Sequence, residues 1–228
     1  MLKVENYEVV GWEHTIRGMR NPKNSWDRMD SFMCKESDEG ECSGKCPFLY
    51  NCPLYDNEDF YVIGPNDHKL MMGLAAGGPV HAKYRRMIAV YVDVTAPLYW
   101  WKEFDKYQIG VVTNSCSTMH KIHAKEFVIE DFSVDEYLPV WGFILEELNC
   151  SRDKFLETND KKYWKRMIQL LPSSYNQKRT VMLNYEVLTN IYHSRKNHKL
   201  DEWSTFRKWI ESLPYSEIIT GETECPEE

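Results

Sequence analysis

Between Gln108 and His120 the chain gathers Thr113, Asn114, Ser115, Cys116, Ser117, Thr118 and His120, bracketed by apolar material, with Lys106 just ahead of them. Hydroxyls, a carboxamide, an imidazole and an ammonium group so placed can hold a small polar ligand, and a mononucleotide needs only two or three well-placed donors. A second candidate is Arg195. It follows Asn184, Leu188 and Ile191 at i, i+4, i+7 and i+11, so a polar group sits at each end of one apolar helical stripe. An arginine on the buried face of a helix either finds an anion or loses several kcal/mol, on the order of an unpaired buried charge. The alternative is that it complements the negative end of the helix dipole. His81 stands on a short basic segment, HAKYRRM, that leads straight into an alternating strand.

Four of the seven cysteines, Cys34, Cys42, Cys46 and Cys52, fall in one charged, loop-like stretch with the spacing C-x7-C-x3-C-x5-C. Four thiolates brought together by a flexible chain can bind zinc or an iron–sulfur cluster. The competing reading is free thiols in a surface insertion over about residues 24–60, with disulfides least favoured by a cytoplasmic default.

These residues need elements to position them. Ile88, Val90, Val92 and Val94 alternate with Met87, Ala89, Tyr91 and Asp93, the pattern of a half-buried strand that Pro97 ends. Trp100, Phe104 and Tyr107 then mark one stripe of a short helix. Leu2–Val10 reads as a strand and Trp12–Met19 as a helix closed by Asn21-Pro22. Leu70, Met71 and Leu74 give a helix after Gly64-Pro65 its apolar face, and Gly77-Gly78-Pro79 stops it. Helices follow over Tyr137–Leu148 and Lys161–Leu171, then a strand over Lys178–Leu183. Asn184 caps the next helix, and Asp201–Leu213 is a final helix packed through Trp203, Phe206, Trp209 and Ile210. The expectation is an α/β fold in a single domain, with a central mixed or antiparallel sheet flanked by helices.

At 228 residues, 43% hydrophobic and 14% aromatic, the chain is neither disordered nor short of a core, and its apolar runs fall below the ~20 residues that span a bilayer. The first residues, MLKVENYEVV, lack a signal-peptide core, which sets a cytoplasmic expectation. A net charge of −7 excludes a duplex-wrapping protein while leaving room for a single nucleotide.

The segment DHKLMMGLAAGGPVHAKYRRMIAVYVDVTAPLYWW resembles the region of flavin-dependent thymidylate synthases in which a helix, a Gly-His turn and a strand ending in Ala-Pro precede the signature R-H-R-x-x-S-x-N-E-x-S-x-R-Y. On that alignment His81 matches the turn histidine, and Lys106-Tyr107-Gln108 stands on R-H-R. With one inserted residue Asn114 matches the signature Asn and Ser117 its second Ser. NYEVLTNIYHSRKNHKLDEW resembles the family's N-x-x-x-x-x-N-x-x-x-x-R helix, matching Asn184, Asn190 and Arg195. Departures are Tyr107, Gln108, Ser115 in place of Glu, Met119 in place of Arg, His120 in place of Tyr, and Ile168 where an arginine precedes the proline.

The resemblance implies reductive methylation of dUMP to dTMP by a homotetramer, with FAD as cofactor, NADPH as reductant and methylenetetrahydrofolate as carbon source. It implies Arg195 and Ser117 at the catalytic centre and Lys106, Ser117, His120 and Arg195 on the nucleotide, with Lys121 standing in for lost cations. His81, Asn114, Asn184 and Asn190 fall on the flavin side. Two alternatives are a nucleotide-binding protein that kept the fold and lost flavin chemistry, and an interaction protein built around a metal at the cysteines.

Overall fold

Strand β1 spans Lys3–Val10, helix α1 Trp12–Arg20, β2 Phe32–Cys34, β3 Phe60–Val62, α2 Pro65–Ala76, β4 Ala89–Pro97 and α3 Leu98–Phe104. They are followed by β5 Val112–Ser115, α4 Val140–Thr158, α5 Lys161–Leu170, β6 Asn176–Asn184, α6 Tyr185–Ser194, α7 Asp201–Glu211 and α8 Glu217–Thr220. This computed structural model describes residues 2–34 and 60–221. They fall into two units, one of residues 2–8, 90–183 and 194–210, the other of residues 9–34, 60–89, 184–193 and 211–221.

The first unit is built on a four-stranded sheet in the order β1-β4-β6-β5. The alternation read from the sequence holds in β4: Val90, Val92, Val94 and Ala96 are buried while Tyr91 is exposed. Pro97 ends the strand and Leu98 begins α3, as proline's fixed φ and missing N–H favour at a helix start. The helix packs an aromatic core in which Trp100 lies 4.9 Å from Trp101, 5.2 Å from Phe104, 4.7 Å from Trp203 and 5.5 Å from Phe206, ring centre to ring centre. A second apolar cluster joins Ile122, Phe127, Phe132, Leu148 and Met167 under α4 and α5.

Three local expectations are corrected here. The polar stretch after α3 is not all loop: Val112–Ser115 pairs antiparallel with β6 from Val112↔Met182 to Ser115↔Arg179. All four residues are exposed, so a strand held by its backbone ladder alone leaves no apolar alternation to read. Tyr107 lies beyond the end of α3 rather than on its stripe. The helix expected over Tyr137–Leu148 starts at Val140 and runs on to Thr158, because its polar second half packs against α5 until Asn159 turns left-handed at φ 55°.

In the second unit Ile16, Met71, Leu188, Ile191, Ile218 and Ile219 are fully buried. Gly11 is obligatory where β1 turns into α1: its φ is 98°, and a Cβ there would stand 2.3 Å from the Met87 carbonyl oxygen. β2 and β3 pair antiparallel, Phe32↔Val62 and Cys34↔Phe60. Of the four clustered cysteines Cys34 is described, and Cys42, Cys46 and Cys52 lie outside the described residues. Among the described residues no helix is long and apolar enough to cross a membrane.

Candidate functional site

The basic segment around His81 becomes a short 3-10 helix, Ala82–Met87. Its tight turn buries Ala82, Tyr84 and Arg85 and leaves Lys83 and Arg86 exposed. Tyr84 anchors it by donating its phenol proton to the Met71 carbonyl at 2.8 Å, and burial pushes that phenol up to about 12. The exposed cations face a cleft of about 1540 Å³ within the second unit. Lys23, Arg28, Lys69, His81, Lys83 and Arg86 line it together with Met19, Leu74 and Met87, and Asp27 is its one solvent-facing carboxylate among the lining residues. A chain of net charge −7 has thus concentrated cations at one concave surface.

Behind the cleft sits a polar hub that the sequence did not announce. Asp67, on the first turn of α2, is wholly buried. Its Oδ1 accepts from Arg20 Nε at 2.6 Å, and its Oδ2 accepts from Asp30 N and Ser31 N, each at 3.0 Å, and from Ser31 Oγ at 2.6 Å. Burial by itself would raise the Asp67 carboxyl, but the bonds from Ser31, Asp30 and Arg20 outweigh it and hold the group below the ordinary carboxylate range.

In the first unit Arg195 leaves the end of α6 and lies with its guanidinium 4.6 Å over the Trp203 ring. Its Nε donates to Tyr107 Oη at 2.9 Å and its Nη1 meets Glu103 Oε2 at 3.2 Å. Lys106 Nζ reaches the other oxygen of Glu103 at 2.9 Å. Lys106 and Arg195 are therefore brought together on one carboxylate, which the bond from Lys106 first and the Arg195 charge next hold below its usual pKa. The anion that the buried-arginine argument demanded is Glu103 in this structure, and Tyr107, at a departure from the signature, completes the clasp. Glu103 was not singled out beforehand, and Tyr107 was read as a stripe residue and a departure from the signature rather than as a partner of Arg195; the i,i+3 spacing of Glu103 and Lys106 was the legible signal. Arg179 repeats the arrangement, with Nη1 on Asp105 at 2.6 Å and its guanidinium 4.2 Å from the Trp101 ring centre.

Ser117 and His120 are brought together as well, Oγ to Nδ1 at 2.9 Å. Asn114 stands on β5, opposite Thr180 and exposed. In the second unit Asn184 performs the capping role read for it, its side-chain oxygen accepting from Val187 N at 3.1 Å, and Asn190 is exposed on α6. Among the described residues no group of three or more His, Cys, Asp or Glu side chains is arranged to hold a metal.

No protein-family model and no curated protein matches this sequence. Solved structures do match the fold. Thymidylate Synthase X (ThyX) from Helicobacter pylori, with FAD and dUMP, superposes with a TM-score of 0.66 at 14% identity, over 96% of each chain. The fold is that of ThyX. A second structure of the Helicobacter pylori flavin-dependent thymidylate synthase, complexed with FAD and dUMP, gives 0.60 at 15% identity over 95% of each chain. The UMP/dUMP methylase PolB from Streptomyces cacaoi, bound with 5-Br UMP, gives 0.56 at 11% identity over 97% of this chain and 95% of that one. The resemblance carried by the His81 and Asn184–Arg195 segments is thereby borne out as a ThyX fold, an α/β architecture with a mostly antiparallel sheet flanked by helices.

Proposed function

We propose that this protein binds a uridine 5′-monophosphate nucleotide, UMP or dUMP, together with FAD and transfers a one-carbon unit to C5 of the pyrimidine. For dUMP the reaction is reductive methylation to dTMP, with methylenetetrahydrofolate as carbon donor and NADPH as reductant. The observation that carries this is the ThyX fold over 96% of the chain. The cleft beside His81 supports it, because its donor set fits the cofactor. Lys23, Arg28, Lys69, Lys83 and Arg86 suit a pyrophosphate, while Met19, Leu74 and Met87 offer the apolar surface a flat ring system needs. FAD, once bound and reduced by NADPH, would supply hydride to the pyrimidine; the chain's own residues bind, orient and exclude water. His81, Asn114, Asn184 and Asn190 are the flavin-side contacts in this proposal. Arg195, oriented by Tyr107 and Trp203, polarises the pyrimidine carbonyl, and Lys106 and Ser117 meet the nucleotide. Assembly as a homotetramer completes the sites between copies.

One observation favours a second reading, a nucleotide-binding protein without flavin chemistry: the Arg195 guanidinium is already engaged by Glu103 and Tyr107. The visible spectrum of the freshly purified protein separates the two. A flavin spectrum, with tritium released from 5-tritiated dUMP or UMP in the presence of methylenetetrahydrofolate and NADPH, is the expected result. A colourless protein that takes up no added FAD yet binds dUMP or UMP overturns it in favour of the second reading.

A further inference from the structure

A second cleft, of about 480 Å³, lies in the first unit, where the loop after Ser117 meets α4 and α5. Met119, Phe155 and Trp164 give it apolar walls, and His120, His123 and Lys161 are its ionisable groups; no carboxylate lines it. The walls are fixed in place. Trp164 donates its indole N–H to the Met119 carbonyl at 2.9 Å, and Phe155 meets the His123 ring edge-on, 4.9 Å between centres. Arg152 Nε holds the His123 carbonyl at 3.1 Å.

The polar groups are equally determinate. Ser117 Oγ accepts from the backbone N–H of Met119 at 3.1 Å and of His120 at 3.0 Å. A hydroxyl has two acceptor sites and one proton, so the 2.9 Å contact to His120 Nδ1 is the Ser117 proton donated to the ring. Neutral His120 therefore carries its own proton on Nε2, free to donate. His123 Nδ1 is buried, with no surface open to the cleft, so His123 contributes its ring to the wall beside Phe155. The neighbouring Asp160 carboxylate is already engaged by Lys162, at 3.0 Å from both its backbone N and its Nζ.

We propose that this cleft is a binding site for a small planar aromatic carboxylate, its ring against Trp164 and Phe155 and its carboxylate on Lys161 and His120 Nε2–H. A phosphate dianion is the poorer fit, because it wants the bidentate fork of an arginine, and the cleft offers one ammonium group instead. The volume admits one or two rings with short substituents. The site does not depend on the nucleotide chemistry proposed above, and it gives His120 a ligand other than the nucleotide that the sequence resemblance implies.

The test is titration of the full chain with 4-aminobenzoate, followed by tryptophan fluorescence and by the imidazole resonances. Saturable binding is expected, with 4-aminobenzamide bound about tenfold more weakly for want of the charge-assisted bond. Lys161→Met, at an exposed position, should weaken 4-aminobenzoate binding by about tenfold or more. Absence of saturable binding overturns the proposal. So does equal affinity for acid and amide, or unchanged affinity in Lys161→Met protein whose circular dichroism is that of the parent. Displacement of 4-aminobenzoate by dUMP in direct competition also overturns it, since the cleft would then be a nucleotide site.

Discussion

Asp67→Ala is the substitution for which the structure sets the sharpest expectation. The carboxylate is 0% exposed and its partner Arg20 4% exposed, with four bonds converging on its two oxygens. Removing one member of a buried ion pair costs about 3–5 kcal/mol, and each backbone N–H left unpaired, here those of Asp30 and Ser31, costs about 1–3 kcal/mol before relaxation and water entry. The net loss should be about 4–6 kcal/mol, most of the stability of an ordinary domain. Arg20→Met should cost less, about 2–3 kcal/mol, because Ser31 and Asp30 still satisfy the carboxylate. In the double variant the buried charge is gone from both sides, so the two losses should fall short of additivity by about 2 kcal/mol. Urea unfolding followed by tryptophan fluorescence, with m held common, measures all three. Asp67 also confers a pH signature. Its folded pKa is lowered, so its contribution is complete above the ordinary carboxylate range and is lost as pH falls through the lowered value. A loss under about 1 kcal/mol in Asp67→Ala, or strict additivity, would refute the hub.

Hydrogen bonds from Thr180, Lys178 and Asn6 bring Asp93 to about 2, so its contribution is full above pH ~4 and disappears as pH falls toward 2. After allowance for solvent screening that is about 1–2 kcal/mol, and acid unfolding of Asp93→Asn should lack this component. Tyr107→Phe removes the acceptor of Arg195 Nε and should lower the rate of one-carbon transfer about tenfold while moving stability by less than about 1 kcal/mol; unchanged kinetics would detach Tyr107 from the chemistry. Reversing charge in the His81 cleft with Lys83→Glu and Arg86→Glu should weaken FAD binding by tenfold or more and make the residual affinity less sensitive to salt, as flavin fluorescence quenching would show. If the cysteine stretch holds a metal, elemental analysis of the full chain will find zinc or iron in stoichiometric amount and Cys42→Ser with Cys46→Ser will release it; metal-free protein of unchanged stability would leave those thiols as plain side chains.

Much of the scaffold was legible from local pattern. The alternation before Pro97 predicted β4, and Trp100 and Phe104 at helical spacing predicted the stripe that α3 buries. Asn184 at a strand-to-helix junction predicted its cap, because such signals depend on neighbours a few residues away. His81 and the basic segment after it were likewise visible as a charge cluster, though nothing local showed that Lys23, Arg28 and Lys69 would join them around one cleft. β5 was hidden because its partner, β6, is far along the chain and neither of its faces is apolar. The Arg195 clasp shows the same division. Its place on the apolar stripe left an anion or the helix dipole as its partner, but an ion pair between residues 103 and 195 forms only when packing of α3 against Trp203 brings them within reach. What the sequence by itself determined were the elements, their caps and the chemical types available. Which side chains meet across long sequence separations, Glu103 with Arg195 or Arg20 with Asp67, was decided by tertiary structure alone, because hydrogen bonds and ion pairs act over a few ångströms of space rather than along the chain.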